Sequence, residues 1–299
     1  MKTTLISNWR PLLRAFCRFL IAIAALLGVP KNTQAQLYVL QNNPSQIGIV
    51  SEYSTKGELI NANFITGLSD PVQIAVSGNA LFVTNNLGGT VGKYDATTGG
   101  AINAGFITGL VVPYALAVSG NSLFVASYFH TGNDYIIGKY DAITGAAINA
   151  SFITVLSFPT QIAVLGNKLF VSTETPENGT AVYTVGKYDA DTGALIKAKF
   201  IKGLNLLAGK GNTNTLFGLD DRNTVVEYDA TTGTAINPSF ITGLKGPISL
   251  ALLGNRVFVA KYLKDTVADY DATTGALINA RFITGTMPYP ISITVKRTK

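Results

Sequence analysis

Apolar residues past position 36 come in short bursts rich in β-branched and aromatic side chains, each bounded by Gly, Asn, Asp or Ser. Gln73-Ile-Ala-Val76, Leu81-Phe-Val83 and Thr90-Val-Gly-Lys-Tyr94 show the type. Such bursts read as β-strands, and no helical period competes with them. Ser77-Gly78-Asn79 joins the first two as a hairpin. The third is followed by Asp95-Ala-Thr-Thr-Gly99, in which the Asp side chain can accept backbone N–H groups and the glycine can take a positive φ. A fourth, outer strand is expected to begin at the Phe that follows, Phe64 or Phe106.

This unit repeats. The Tyr of Lys-Tyr-Asp-Ala-Thr-Thr-Gly stands at Tyr94, Tyr140, Tyr188, Tyr228 and Tyr270, with a worn copy at Tyr53, and Phe-Ile-Thr-Gly-Leu recurs with small variations at Phe64, Phe106, Phe152, Phe200, Phe240 and Phe282. The Tyr spacings are 41, 46, 48, 40 and 42 residues. A period of about 43 residues carrying four strands, a to d, is the signature of a β-propeller blade. Leu37-Tyr-Val39 matches strand b, and Pro290-Ile-Ser-Ile-Thr-Val295 at the other end matches strand a. The expected fold is therefore an all-β, six-bladed propeller of four-stranded blades over residues 36–299. Its last blade is closed by N-terminal strands b, c, d and C-terminal strand a, so that no sheet edge is left open in the ring. Residues 203–211 are a degenerate strand a and mark the fourth blade as the irregular one.

Composition changes the picture once the N-terminus is set apart. Residues 1–35 hold five of the 23 basic residues and no acid, which leaves 18 against 17 in the body and makes the formal charge of +6 a property of the leader. A near-neutral body has no footprint for a phosphate backbone, so nucleic acid is not an expected partner. Four cations before residue 19, an apolar run over 19–29 too short to span a bilayer, Pro30, and Thr33-Gln34-Ala35 read as a secretory signal peptide cleaved before Gln36. The product is expected to be secreted or periplasmic, monomeric and free of the membrane. The only Cys and Trp also lie in the leader, so the body has no disulfide, no thiol nucleophile and no Cys-based zinc site.

The phrase Pro71-Val-Gln-Ile-Ala-Val-Ser-Gly-Asn-Ala-Leu-Phe-Val83, followed by Val91-Gly-Lys-Tyr-Asp95, resembles the NHL and YVTN type of propeller repeat and, more distantly, the gluconolactonase (senescence marker protein) superfamily. The resemblance covers residues 36–299 and speaks to architecture, since one such fold hosts many functions. The gluconolactonase resemblance implies a divalent cation, such as calcium, held by Glu, Asn and Asp at the channel mouth of a metal-dependent hydrolase. Asn85, Asn86, Glu174, Glu177, Asp220 and Asp221 follow strand b in three blades, but Lys261 at the matching place in another would repel a cation. That ligand set does not map residue by residue and is not transferred. No Gly-x-Ser-x-Gly elbow or phosphate loop occurs.

Repeated residues are read as frame: the Asp of each Tyr-Asp pair as a turn residue, the repeated Tyr and Phe as packing between blades. Function is sought where the repeat is broken. The b-to-c links, at 85–89, 127–134, 173–183, 220–223 and 261–265, and the links from strand d to the next strand a vary in length and chemistry and open on one face. The ligand-binding candidates on that face are Asn85, Asn86, Tyr114, Tyr128, His130, Tyr183, Asp220, Tyr262 and Tyr289, with Phe129 and Phe158 nearby. Tyr-rich surfaces suit a protein, peptide or glycan, because the ring gives apolar area at low entropic cost and the hydroxyl gives a hydrogen bond. The streptogramin lyase propellers use a catalytic His, and His130 is its sole counterpart here. The expected function is an exported, non-catalytic binding or interaction module, with the metal-dependent hydrolase as the alternative.

The leader reading makes a direct prediction. Expressed in a secreting host, the product begins at Gln36 by intact mass; a mass that retains residues 1–35 contradicts it.

Overall fold

The computed structural model describes residues 35–42, 47–128, 135–210, 213–284 and 289–297. They form six four-stranded antiparallel sheets. Blade 1 is β4 (Pro71–Ser77), β5 (Ala80–Asn85), β6 (Thr90–Asp95) and β7 (Ala101–Ile107). Blade 2 is β8 (Val111–Ser119), β9 (Ser122–Tyr128), β10 (Tyr135–Asp141) and β11 (Ala147–Leu156). Blade 3 is β12 (Phe158–Leu165), β13 (Lys168–Glu177), β14 (Thr180–Asp189) and β15 (Leu195–Lys202). Blade 4 is β16 (Leu204–Lys210), β17 (Thr215–Asp220), β18 (Val225–Asp229) and β19 (Ala235–Ile241). Blade 5 is β20 (Pro247–Leu253), β21 (Arg256–Lys261), β22 (Thr266–Asp271) and β23 (Leu277–Thr284).

The closing blade runs β24 (Pro290–Lys296), β1 (Gln36–Asn42), β2 (Ile47–Ser54) and β3 (Leu59–Ser69), with β24 as its inner strand. The two ends of the chain pair directly, Leu37 opposite Val295 and Val39 opposite Ile293. The inner strands β24, β4, β8, β12, β16 and β20 each contact the next, and β20 returns to β24, so the ring is closed. This is the six-bladed propeller the repeat arithmetic implies. The degenerate segment forms β16, an inner strand paired to β17 from Leu204 to Lys210. No helix among the described residues is long and apolar enough to cross a membrane.

One expectation is corrected. The outer strand does not begin at the repeated Phe. Asp95 N–H donates to Gly100 O (2.8 Å) and closes the turn there, so β7 starts at Ala101, already opposite Tyr94. Phe106 lies at the end of that strand, and Ile102 sits on the outer rim, 56% exposed. The Phe is turned inward by a bulge between the Lys93–Asn103 and Val91–Ile107 pairs. Asn103 shapes it by accepting the Gly105 N–H (3.0 Å), as Asn61, Asn149, Asn237 and Asn279 do in other blades.

The core lies between blades. Six apolar clusters fill the gaps between neighbouring sheets; one joins Phe82, Val91 and Phe106 of blade 1 to Leu116, Leu123 and Tyr140 of blade 2. The frame Asp residues are turn residues. Asp95 Oδ1 accepts the N–H groups of Thr97 and Thr98 and the Thr98 hydroxyl, and Asp141, Asp189, Asp229 and Asp271 repeat the pattern. Gly99 (φ 73°) lets this turn touch the neighbouring blade, because a Cβ there would stand 1.9 Å from Phe64 O.

Each turn is also held by a cation from the preceding blade. Lys93 Nζ donates to the carbonyls of Ala142 and Ile143 (2.8 and 3.0 Å), Lys139 to those of Ala190 and Asp191 (2.9 and 3.3 Å), and Lys187 to those of Ala230 and Thr231 (2.8 and 3.2 Å). In the other three blades an acid, Glu227, Asp269 or Glu52, stands at the Lys position. There the cation comes from another strand: Lys210 reaches Ala272 O, Arg256 reaches Thr55 O, and Lys296 reaches Ala96 O. Arg256 binds Asp269 through Nε and Nη2. Lys93, Lys139, Lys187 and Arg256 also stand over Phe rings, Lys93 at 4.6 Å from Phe106 and Arg256 at 4.8 Å from Phe258.

Glu52 is the strained member of this set. It is 4% exposed and its Oε1 has no partner among the described residues. Burial pushes its carboxyl up to about 7, against a smaller opposing pull from Lys296. A carboxyl with a raised folded-state pKa binds more protons when folded, so stability falls as pH rises through the span up to about 7 and levels off above it. Glu52→Gln is therefore expected to raise the melting midpoint by roughly 5–10 °C at about pH 8 and to leave it nearly unchanged at about pH 5. An equal effect at both pH values contradicts this origin.

Candidate binding face at the channel mouth

The inner strands enclose a channel along the ring axis. At the end where these strands begin it opens as a cavity of about 230 Å³ walled by Val72, Tyr114, Phe158, Pro159, Ile248 and Ile291. Gln73, Gln161, Ser249 and Ser292 are also in its wall. Two of them stitch neighbouring inner strands: Ile293 N–H donates to Ser249 Oγ (3.2 Å) and Ile74 N–H to Ser292 Oγ (3.5 Å). The described walls of this mouth carry no Asp, Glu or His.

Beside the mouth the broken repeats of blades 2 and 3 build an aromatic cluster. Tyr114 meets Phe158 edge-on with centroids 4.8 Å apart, Tyr135 meets Phe158 at 5.2 Å, and Tyr128 meets Tyr135 at 5.3 Å. All four rings are half-buried. Burial raises the Tyr114 phenol above its ordinary value, and the neighbouring Tyr135 and Tyr128 add to this, so the Tyr114 hydroxyl stays a protonated donor. The rings are placed by the backbone: Tyr128 ends β9, Tyr135 opens β10 directly opposite it, and Phe158 opens β12.

The other sequence candidates are spread around the ring. Asn85 is buried at the end of β5, where its Nδ2 donates to Thr90 Oγ1 (3.3 Å), and Asn86 occupies the following turn, bonded through its N–H to Asp70 O (3.0 Å). Tyr183 lies in the long β13–β14 hairpin opposite Glu174, its phenol raised by burial and, to a lesser degree, by that carboxylate. Asp220 is a turn residue in blade 4: Oδ1 accepts the N–H groups of Arg222 and Thr224, and Oδ2 pairs with the Arg222 guanidinium (2.6 Å). Tyr262 and Tyr289 are exposed beside each other's loops in blades 5 and 6, joined through Asp265 Oδ1, which accepts the Tyr289 N–H (3.0 Å). Blades 5 and 6 lie across the axis from blades 2 and 3, so Tyr262 and Tyr128 are not in one cluster. His130 and Phe129 lie outside the described residues.

The oxygen donors do not fit a divalent cation at the mouth. Asp220 is committed to its own turn and to Arg222, Glu174 to Tyr183, and Lys261 stands in the equivalent link of blade 5. No group of three His, Cys, Asp or Glu side chains converges among the described residues. Tyr135 and Phe158, which sequence reasoning left off the candidate set, belong to the aromatic cluster. Their signal was present in the non-repeating aromatics, but not the register that brings them together.

No family model matches the chain, and no curated protein does. Among solved structures, a chain of a nidogen/laminin complex superposes with a TM-score of 0.69 at 12% identity, covering 89% of this chain and 99% of that one. At this identity the likeness shows the fold alone, and it agrees with the closed propeller described above.

Proposed function

We propose that this chain is an exported, non-catalytic interaction module that binds a protein or peptide at the channel mouth, through Tyr114, Tyr128, Tyr135 and Phe158. One observation carries the reading: Tyr114 and Phe158 wall a cavity of about 230 Å³ and are backed by Tyr135 and, behind it, Tyr128, four half-buried rings on the face where the repeat is broken. A rigid scaffold holds them, so a partner side chain entering the cavity meets apolar walls with little ordering cost. Rings with polar edges are the residue types that dominate protein recognition. The nidogen/laminin complex is a protein–protein assembly, and a propeller from such a complex supports a protein partner here. The NHL and YVTN resemblance and the leader at residues 1–35 support a secreted or periplasmic, monomeric module.

Selection from a random peptide library on the immobilised protein tests this. Enriched peptides are expected to carry an aromatic or aliphatic anchor, and Tyr114→Ala/Phe158→Ala is expected to weaken them by about 30-fold or more while the fold persists by circular dichroism. Peptides that bind the double variant as well as the unaltered protein contradict the assignment, and retention of neutral oligosaccharides in place of peptides redirects it to glycans.

A further inference from the structure

Blade 5 departs from the repeat at several points that meet in space. Blades 1 to 3 carry Gly92, Gly138 and Gly186 two residues before the marker Tyr, and a Cβ at any of them would come within 2.5–2.7 Å of that Tyr ring. Blade 5 has Ala268 there, and its Tyr270, packed in the apolar cluster against blade 4, also lines a cavity of about 500 Å³ between the β19–β20 link, the β21–β22 link and the outer strand β23. The β21–β22 link is shaped by a 3₁₀ turn, η1 (Tyr262–Lys264).

Four cations surround this cavity: Lys245, Lys261, Lys264 and Arg281. No acid lines it, and none of the four pairs with a carboxylate among the described residues. This is a strong local departure in a body whose basic and acidic residues number 18 and 17. Lys261 is half-buried, with a single long hydrogen bond to Ala280 O (3.4 Å), and desolvation pulls its ammonium below the usual lysine range. In the wall, Thr266 is 8% exposed and its Oγ1 has no partner among the described residues. A buried hydroxyl without an acceptor carries a desolvation cost that an anionic oxygen in the cavity would remove.

We propose that this pocket binds the anionic ester of a sugar, a phosphate or a sulfate. Thr266 Oγ1 donates to an ester oxygen, and Lys261 and Arg281 neutralise the group. The volume exceeds that of a bare oxyanion and lies in the range of small-ligand sites. Leu244 and the Tyr270 ring supply an apolar wall for the sugar ring. The pocket lies across the axis from the blade 2 and 3 aromatic cluster and stands independently of it.

Calorimetric titration with glucose 6-phosphate, glucose 6-sulfate and glucose tests the proposal. At least one ester is expected to bind about 100-fold or more tightly than glucose, and the stronger of the two identifies the ester. Lys261→Gln/Arg281→Gln is expected to weaken that ester by at least about tenfold. Thr266→Val is expected to weaken it as well while leaving the ligand-free melting midpoint equal or higher, an outcome that a purely structural Thr266 would not give. Esters that bind no better than glucose, or that bind Lys261→Gln/Arg281→Gln undiminished, overturn the proposal.

Discussion

The structure depends on one inter-blade contact: a buried or half-buried cation from each blade that holds backbone carbonyls of the turn after the next blade's marker Tyr. A tight turn directs consecutive carbonyls outward, and once a neighbouring sheet covers them they need donors. Lys139 and Lys187, each 8% exposed, answer this with a charged group and two hydrogen bonds. Hydrogen bonds to charged groups contribute about 1.5–3 kcal/mol each, so removing such a cation uncovers a cost few single contacts could offset. The ring conserves the contact and not the residue. Where strand c carries Glu227, Asp269 or Glu52, the cation arrives from β16, β21 or β24.

This contact explains how the chain separates frame from function. The Asp, Thr, Gly, Tyr and Phe of each unit are committed to turns, to bulges or to the apolar clusters between sheets. What remains unconstrained is the opposite face, where links differ in length and where the aromatic cluster and the basic cavity both lie. The end strands serve the same logic. Pairing β24 with β1 makes closure a covalently remote but fully hydrogen-bonded event, and Lys296 at the end of β24 then seals the contact to blade 1 through Asn79, Ala96 and Thr97.

Most of the fold was legible in the sequence because repetition exposes it. The Tyr94-to-Tyr270 series counts the blades, and Leu37-Tyr-Val39 with Pro290-to-Val295 reveals the shared closing sheet. The outer strand was misplaced because its bulge is set by a small signal, an Asn side chain bonding two residues ahead, which a hydrophobic pattern ignores. The lysine of Lys-Tyr-Asp was visible as a repeat, but its acceptors lie about 50 residues away in the next blade, and no local pattern links Lys210 or Arg256 to the same duty. The site was legible only as a set of aromatics. Side-chain direction in non-repeating links is set by strand register, which joins Tyr114, Tyr128, Tyr135 and Phe158 and leaves Tyr262 and Tyr289 on the far side.

The interchangeable cation is the claim to test. In blade 2, Ser122 and Lys139 occupy the places held in blade 5 by Arg256 and Asp269. Thermal unfolding of Arg256→Ser, Asp269→Lys and the double variant forms a cycle. Breaking a buried ion pair from one side costs about 3–5 kcal/mol, so both single variants should unfold early. The double variant, with Lys in place to reach Thr55 O, should recover to within about 1 kcal/mol of the unaltered protein. A double variant as unstable as the two single losses combined would contradict the account.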